Sequence, residues 1–333
     1  MATVGGNVLT LADWAKRLDP DGKVPAIVEL LSQTNEVLSD MLFMEGNLPT
    51  GHRCTVRTGL PTVYWRLLNQ GVQPSKSTTA QVDEAIGMLE SWSEVDKDLA
   101  ELNGSVSSFR LSESAAFLES MNQEMASTFF YGNSGTAPEE FNGLALRYNS
   151  LSAANAQNIV DGGGTGSDNS SIWLVDWGSQ TCFGAFPKGS KAGLVHEDMG
   201  LVTVETTAGI AGNRMRAYQD RWQWKLGVVL KDWRYVVRVP NLDISNLVGK
   251  SSAADLYDLM IKAIHRVPNL RLGKPVFYMN RSVFQMLDIQ GRDDVISGGG
   301  LKFDNVDGKM QFSFRGIPVR ICDALTETEA QIT

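Results

Sequence analysis

Histidine and cysteine are both scarce, at three residues each in a chain of 333: His52, His196 and His265, and Cys54, Cys182 and Cys322. Three cysteines, odd in number and far apart, exclude a disulfide framework and suit a reducing compartment. No run of about 18 uninterrupted apolar residues occurs, so no membrane-spanning helix is expected. Residues 2–7 lack a basic and then apolar stretch, so no secretory signal is visible there. Positive charge is also short: 30 Lys and Arg against 38 Asp and Glu give a net charge of −8, which argues against a cationic DNA binder. What is present is 43% hydrophobic and 20% charged residues, the balance of a folded soluble chain rather than a disordered one. The 32 glycines point to many turns. The length exceeds one ordinary compact domain and falls short of three.

Catalytic chemistry is thin. His52 and Cys54 alternate and could share a strand face, but a metal site needs three or four ligands and nothing nearby supplies the rest. His265 ends an amphipathic run beside Arg266, where a cation suits the helix dipole. Gly249-Lys250-Ser251 imitates a phosphate loop, yet the glycine needed five positions earlier is Ile244. Gly162-Gly163-Gly164 and Gly298-Gly299-Gly300 lack the following helix of a dinucleotide site. We therefore expect no catalytic residues, no cofactor and no metal. A soluble hydrolase with a scattered active site stands as the alternative of another class.

Periodicity supplies the elements. Thr10 and Asp13 read as a capping box for a short helix with Leu11, Trp14, Ala15 and Leu18 on one face, broken at Asp19-Pro20-Asp21-Gly22. A second helix is predicted from Pro25 to about Glu45. Arg53–Arg57 alternates like a strand, and Val63-Tyr64-Trp65-Arg66-Leu67-Leu68 favours strand. Pro74 to Thr79 forms a polar tip, and Ala80 to Leu102 returns. Residues 53–102 thus read as a protruding hairpin with too few bulky residues for its own core. Val63, Tyr64, Trp65, Leu67, Met88, Leu89 and Trp92 are expected between chains, and Trp14 and Leu18 against another subunit or an inner wall. Glu94, Asp96 and Asp98 alternate as if on one strand face, with Glu101 beyond, and are expected to dock against basic residues of a neighbour.

Ser112 is the predicted N-cap of a long helix to Tyr131 with the stripe Phe117, Met121, Met125 and Phe129. Two hairpins follow in expectation: Ile172–Trp177 with Thr181–Phe186, and Trp222–Leu230 with Trp233–Val239. Ser252 to Asp255 caps a helix with Leu256, Leu259, Met260, Ala263 and Ile264 on one face. Val276–Met279 is a buried strand, Arg281–Ile289 a helix, and Met310–Phe314 with Ile317–Ile321 a closing hairpin. Runs of one type rather than strict alternation make the class α+β.

Local wording adds a resemblance. Phe129-Phe130-Tyr131-Gly132-Asn133, Ser171-Ile172-Trp173-Leu174-Val175-Asp176-Trp177-Gly178 with Phe186-Pro187-Lys188-Gly189-Ser190, and Phe314-Arg315-Gly316-Ile317-Pro318-Val319-Arg320, in that order, resemble the tailed-phage major capsid proteins. That fold is shared with herpesvirus capsids and encapsulins, and the likeness is strongest to coat proteins of short-tailed phages. The resemblance implies an N-terminal arm (1–50) and an extended β-hairpin loop (51–105). It further implies a peripheral domain (106–240) with spine helix 112–131, an axial α/β domain (241–308) and returning peripheral strands (309–333). It also implies a structural protein forming hexamers and pentamers of an icosahedral virion shell, assembled in the host cytoplasm around double-stranded DNA without sequence-specific contact. A separate scaffolding protein is implied, because a first helix near residue 10 leaves no room for a cleaved scaffolding segment. A portal protein and a decoration protein complete the implied partners, with no membrane. An encapsulin-like nanocompartment is the alternative within the fold.

Overall fold

A computed structural model describes residues 32–102, 105–205, 214–249, 253–293, 301–306 and 309–333. The expected helices before residue 31, with Trp14 and Leu18, lie outside the described residues, as do Ser252 and the 298–300 glycines. The described chain forms two compact units, a smaller one of residues 88–125 and 193–225 and a larger one of 34–87, 126–192 and 226–333. The strands are β1 (Phe43–Glu45), β2 (Gly51–Gly59), β3 (Thr78–Ala85), β4 (Gly87–Asp96), β5 (Asn169–Trp177), β6 (Cys182–Phe186) and β7 (Leu194–Glu205). They continue with β8 (Arg214–Leu230), β9 (Val236–Asp243), β10 (Lys274–Met279), β11 (Leu301–Val306), β12 (Lys309–Phe314) and β13 (Ile317–Ile321). The helices are α1 (Val37–Asp40), α2 (Lys97–Glu101), α3 (Val106–Tyr131), α4 (Leu144–Arg147), α5 (Ile244–Gly249), α6 (Leu256–Arg266) and α7 (Arg281–Asp293). The class is α+β, as the sequence predicts.

In the larger unit the sheet order is β11-β12-β13-β10-β5-β6 and then the end of β8, with β9 also on β5 and β1 on β6. Every residue of β5 is buried. A strand covered on both faces needs no polar alternation, which is why Ile172 to Val175 is an unbroken apolar run. Leu256, Met260, Val283 and Leu287 pack with Leu174, Val237 and Phe277 in one cluster. Helix α6 begins where Asp255 accepts a hydrogen bond from the Asp258 amide at 3.0 Å, so Asp255 itself is the N-cap. Its predicted apolar face is buried as a set.

An aromatic cluster joins the end of α3 to the sheet. Phe130 lies 5.9 Å from Trp173, Phe129 lies 5.7 Å from Trp177, and the Trp177 indole donates to the Tyr278 hydroxyl at 2.8 Å. The C-terminal segment is held by Glu329, which accepts from Arg238 Nη2 at 2.8 Å, from Tyr131 at 2.5 Å and from Ser171.

In the smaller unit β7 pairs antiparallel with β8 from Leu194↔Trp224 to Glu205↔Arg214, with a bulge at Asp198/Gly200. Arg110 donates to Asp198 at 2.6 Å and to Asp220 at 2.8 Å, while Phe117 stacks on Trp222 at 5.4 Å.

Several sequence expectations change. Helix α3 starts at Val106, and Ser112 sits inside it, its hydroxyl donating to the Phe109 carbonyl at 2.8 Å. No glycine or proline lies between Ser105 and Gly132, so nothing stops the helix from extending backward. The predicted 25–45 helix is helical only at 37–40 among its described residues, and 43–45 is a strand parallel to β6. Strands β5 and β6 are not a hairpin ladder, meeting only at Trp177↔Cys182, because β9 and β10 occupy the flanks of β5 and β8 pairs β6. Strands β8 and β9 likewise do not pair with each other.

Candidate subunit interface

Strands β2 and β3 form a separate two-stranded sheet whose register runs from Gly51↔Ala85 to Gly59↔Thr78. Its root belongs to the core of the larger unit. Cys54 packs with Phe183, Ala185 and Val229, and His52 meets the Phe183 ring edge-on at 5.4 Å. Burial pushes the Cys54 thiol up and the His52 imidazole down, so both are neutral side chains of a packed root. No cluster of His, Cys, Asp and Glu fit to hold a metal exists among the described residues. Glu84 at the root is buried and accepts both prongs of the Arg147 guanidinium. Gly227 is required beside it, since a Cβ there would lie 2.5 Å from the Ala85 carbonyl oxygen.

Farther out, Arg53 pairs with Asp83 across the two strands at 2.6 Å on both prongs. Both are half exposed, so the pair fixes register more than stability. The sheet ends at a bulge between Arg57 and Gly59, and residues 60–77 carry no strand or helix. This tip is shaped by a few local bonds: Arg66 Nε to the Gln70 carbonyl at 2.7 Å, and the Ser75 hydroxyl to the Thr62 carbonyl at 2.6 Å. Asn69 takes the left-handed conformation at φ 64°.

Of the residues expected between chains, Val63 is 87% exposed, Trp65 is 104% exposed, and Tyr64 and Leu67 are also exposed. The predicted strand at 63–68 does not form, because β-favouring residues gain stability only from cross-strand neighbours, and the described residues supply none. The sequence reading missed Leu60, Leu68 and Val72, which are equally exposed. Their signal was available: Pro61 and Pro74 frame an apolar run that neither proline lets join a ladder.

In the smaller unit Leu89 is half buried, while Met88 and Trp92 are exposed yet have partners of their own. The Met88 sulfur accepts from Gln223 at 3.0 Å. The Trp92 indole donates to Glu90 at 2.7 Å, with Arg221 over its ring at 5.5 Å. Arg221 also donates to Glu90 at 2.8 Å, holding that carboxyl down at about 2. The acidic ladder is corrected. Glu94 lies on β4 and accepts from Gln219 at 2.8 Å, whereas Asp96 ends β4 and Asp98 lies in α2. Asp96 turns the chain instead of continuing the strand, its carboxylate capping the Asp98 amide at 2.8 Å. The three acids therefore do not share a strand face.

An open cleft of about 1310 Å³ runs beside the arm within the larger unit. One wall is β2 from His52 to Gly59 with Leu60 after it, and the other includes Gln157, Gln180 and residues 231–234.

A family model and one solved structure give the family. The model of major capsid protein GP7 matches residues 19–333. A comparison with curated proteins gives no match. Among solved structures, a chain of bacteriophage Epsilon15 is similar at 32% identity, covering 100% of both chains with a TM-score of 0.79. The capsid of a native GTA particle shares 10% identity over 68% of this chain and 95% of that one, with a TM-score of 0.44. The holo-SrpI encapsulin of Synechococcus elongatus PCC 7942 shares 10% identity over 70% and 96%, with a TM-score of 0.41.

Proposed function

This chain belongs to the major capsid protein GP7 family, and from that premise we propose that it builds an icosahedral phage shell of hexamers and pentamers around double-stranded DNA. Its role is structural rather than catalytic, as a component of the virion. The observation that carries the finer reading is the full-length likeness at 32% identity, together with an arm tip that exposes seven large apolar residues between 60 and 72.

Burying a large apolar side chain is worth about 1.5–3 kcal/mol relative to leaving it exposed. Val63, Trp65, Leu67 and Leu68 together hold more of that than a lone soluble subunit has reason to present. A neighbour covering the tip converts it into association energy, and weak contacts repeated around a closed shell give a rigid container. The net charge of −8 fits a wall that does not grip the DNA it encloses. Scaffolding, portal and decoration proteins are the partners this assembly would use. A nanocompartment remains a different use of a similar fold, and family membership favours the virion.

Negative-stain images of the expressed chain test the reading. Closed particles are expected from the wild type. Soluble single subunits at every protein concentration and salt would overturn it.

A further inference from the structure

Asn169 opens β5 with its side chain fully buried, yet its Oδ1 has no hydrogen-bond partner among the described residues. Turning the amide round does not help. Its Nδ2 donates to the Gly166 carbonyl at 2.6 Å and to the Glu329 carbonyl at 3.4 Å, where an oxygen would face two oxygens. A buried acceptor left unserved is costly, so this oxygen needs a donor or a cation.

Three further oxygens gather beside it. Asn169 and Asp243 are cross-strand partners of β5 and β9, so their side chains share a face. The glycine loop before β5 lies against that face. A Cβ on Gly164 would lie 2.6 Å from the Asn241 carbonyl oxygen, 2.7 Å from Asn169 Oδ1 and 3.0 Å from the Asp243 Cβ. Asn169 Oδ1 therefore points into the space between loop and strands. A Cβ on Gly166 would strike Asp168 Oδ1 and lie 3.5 Å from Asp243 Oδ2. Neither glycine takes a left-handed φ, so both are required for space. Gly163, Thr165 and Ser167 of the same loop are exposed, which leaves an ion a way in.

Two of the four oxygens belong to carboxylates. Asp243 Oδ1 accepts from the Ser245 hydroxyl and the Asn246 amide, each at 2.8 Å, and Asp168 Oδ2 accepts from the Ser245 amide at 3.3 Å. Those bonds occupy one oxygen of each, and Asp243 Oδ2 takes the Asn246 side-chain amide at 2.7 Å. Among the described residues neither carboxylate pairs with lysine or arginine. Two negative charges thus lie beside a buried acceptor without a cation from the described chain.

We propose that Asp168, Asn169 and Asp243, with the Asn241 carbonyl, bind a divalent cation of the calcium class. Calcium takes about six to eight oxygens from carboxylates, amides, backbone carbonyls and water. Only two carboxylates take part, and a hard cation accepts neutral oxygens for the rest. A soft metal is not served, since the set holds no thiolate or imidazole. Magnesium gives up its water reluctantly and demands a stricter geometry, so calcium is favoured. Two acids place the site among weak calcium sites, with Kd about 10⁻⁴–10⁻³ M.

Calorimetric titration of the chelator-treated subunit with calcium chloride tests it, with magnesium chloride for comparison. One calcium per chain is expected, bound at least about tenfold more tightly than magnesium. Asp168→Asn and Asp243→Asn should each weaken calcium by about tenfold or more. Asp258→Asn, which changes an exposed acid of α6, should titrate as the wild type. Three results would overturn the proposal: no saturable calcium heat up to about 10 mM, affinity kept in both site variants, or the same loss in Asp258→Asn.

Melting curves separate a cation site from lost hydrogen bonds. Without the cation the two carboxylates repel, so in chelator Asp168→Asn should melt at or above the wild-type temperature. At about 10 mM calcium the wild type should rise by a few degrees and both site variants by none. A calcium-induced rise that survives in both would sink the site. The binding belongs to the single subunit, so a failure to form shells would remove the capsid reading and leave this result standing.

Discussion

Arg147, at the end of a four-residue helix, grips Glu84 of the arm with both prongs of its guanidinium, Nη2 donating to Oε2 at 2.7 Å. The same Nη2 reaches the Asn142 carbonyl at 3.2 Å, so one cation ties the root of β3 to a loop more than fifty residues away. Glu84 is buried although the residues beyond it toward the tip are exposed. The ion pair thus marks where the arm leaves the core.

Breaking that pair on one side leaves a buried charge without its partner, which costs about 3–5 kcal/mol. Glu84→Ala is expected to fall in the lower part of that range, because Arg147 keeps two carbonyl acceptors. The double variant Glu84→Leu with Arg147→Met should recover much of the loss, since no charge is then left buried. Denaturant unfolding of the soluble subunits measures both. Additive losses in the double variant would contradict the pairing argument.

The parts of this fold that were legible in the sequence are those fixed by local pattern. The run Val276 to Met279 announced a buried strand, and the spacing of Leu256, Leu259, Met260 and Ala263 announced the buried face of α6. Partner choice was not legible. Trp222 to Leu230 and Trp233 to Val239 look like a hairpin, yet β9 finds β5 and β8 finds β6, because pairing is decided by burial across the sheet rather than by proximity along the chain. Strand β7 escaped notice since His196, Glu197 and Asp198 interrupt it, and Arg221, Asp220 and Arg110 on the facing elements supply their partners. The exposed tip was legible as apolar content without a core, and its irregular backbone was not.

Trp65→Ser and Leu68→Ser test the arm tip directly. Both side chains are solvent-exposed in the single chain, so each substitution should change subunit stability by no more than about 0.5 kcal/mol. Particle yield should fall sharply in the same variants if the tip is covered by a neighbour. Thermal unfolding and sedimentation on the same samples separate the two effects. A loss of subunit stability with normal assembly would reverse the assignment.

Asp176 presents a different situation, a carboxyl buried in β5 with no hydrogen-bond partner on either oxygen. Burial alone pushes it up to about 6. Its unfolded value lies near 4, so the folded state binds the extra proton between about pH 4 and 6. Stability from this group is therefore complete below pH 4 and is lost as pH rises through 6. The wild-type subunit should lose on the order of 2 kcal/mol across that window from this residue. Asp176→Asn should flatten the loss, with the variant gaining relative to wild type above pH 6. Unfolding free energies at pH 4.5 and 7.5 decide it, and an unchanged slope in the variant would clear Asp176 of the effect.

Glu329 makes the opposite use of burial. It neutralises Arg238, the two side chains being nearly inaccessible, and accepts from Ser171 and Tyr131. Glu329→Ala should cost about 3–5 kcal/mol by stranding the guanidinium. Burial first, and then the Glu329 charge, raise the Tyr131 phenol above its ordinary value. Because the folded value is the higher one, this contribution is intact below pH 10 and disappears as the medium becomes more alkaline. Ultraviolet titration of the folded subunit should show Tyr131 ionising only with unfolding, and a normal phenol titration in the native state would refute it.

Asp96 separates two explanations of the acidic run between β4 and α2. If its charge docked a basic neighbour, Asp96→Asn would weaken assembly and blunt its salt dependence. The geometry gives it another task, since its carboxylate oxygen accepts the Asp98 amide at the first turn of α2. Asparagine caps a helix about as well as aspartate, while alanine does not. Asp96→Asn should therefore leave subunit stability and particle yield near wild type, whereas Asp96→Ala should lose about 1 kcal/mol of stability. Leu99 and Ala100 of α2 are buried, so the lost cap registers in the folded unit rather than in a frayed end. The two variants remove the same charge, and only one removes the hydrogen bond. Equal behaviour of the two, with reduced salt sensitivity in both, would restore the docking role and dismiss the cap.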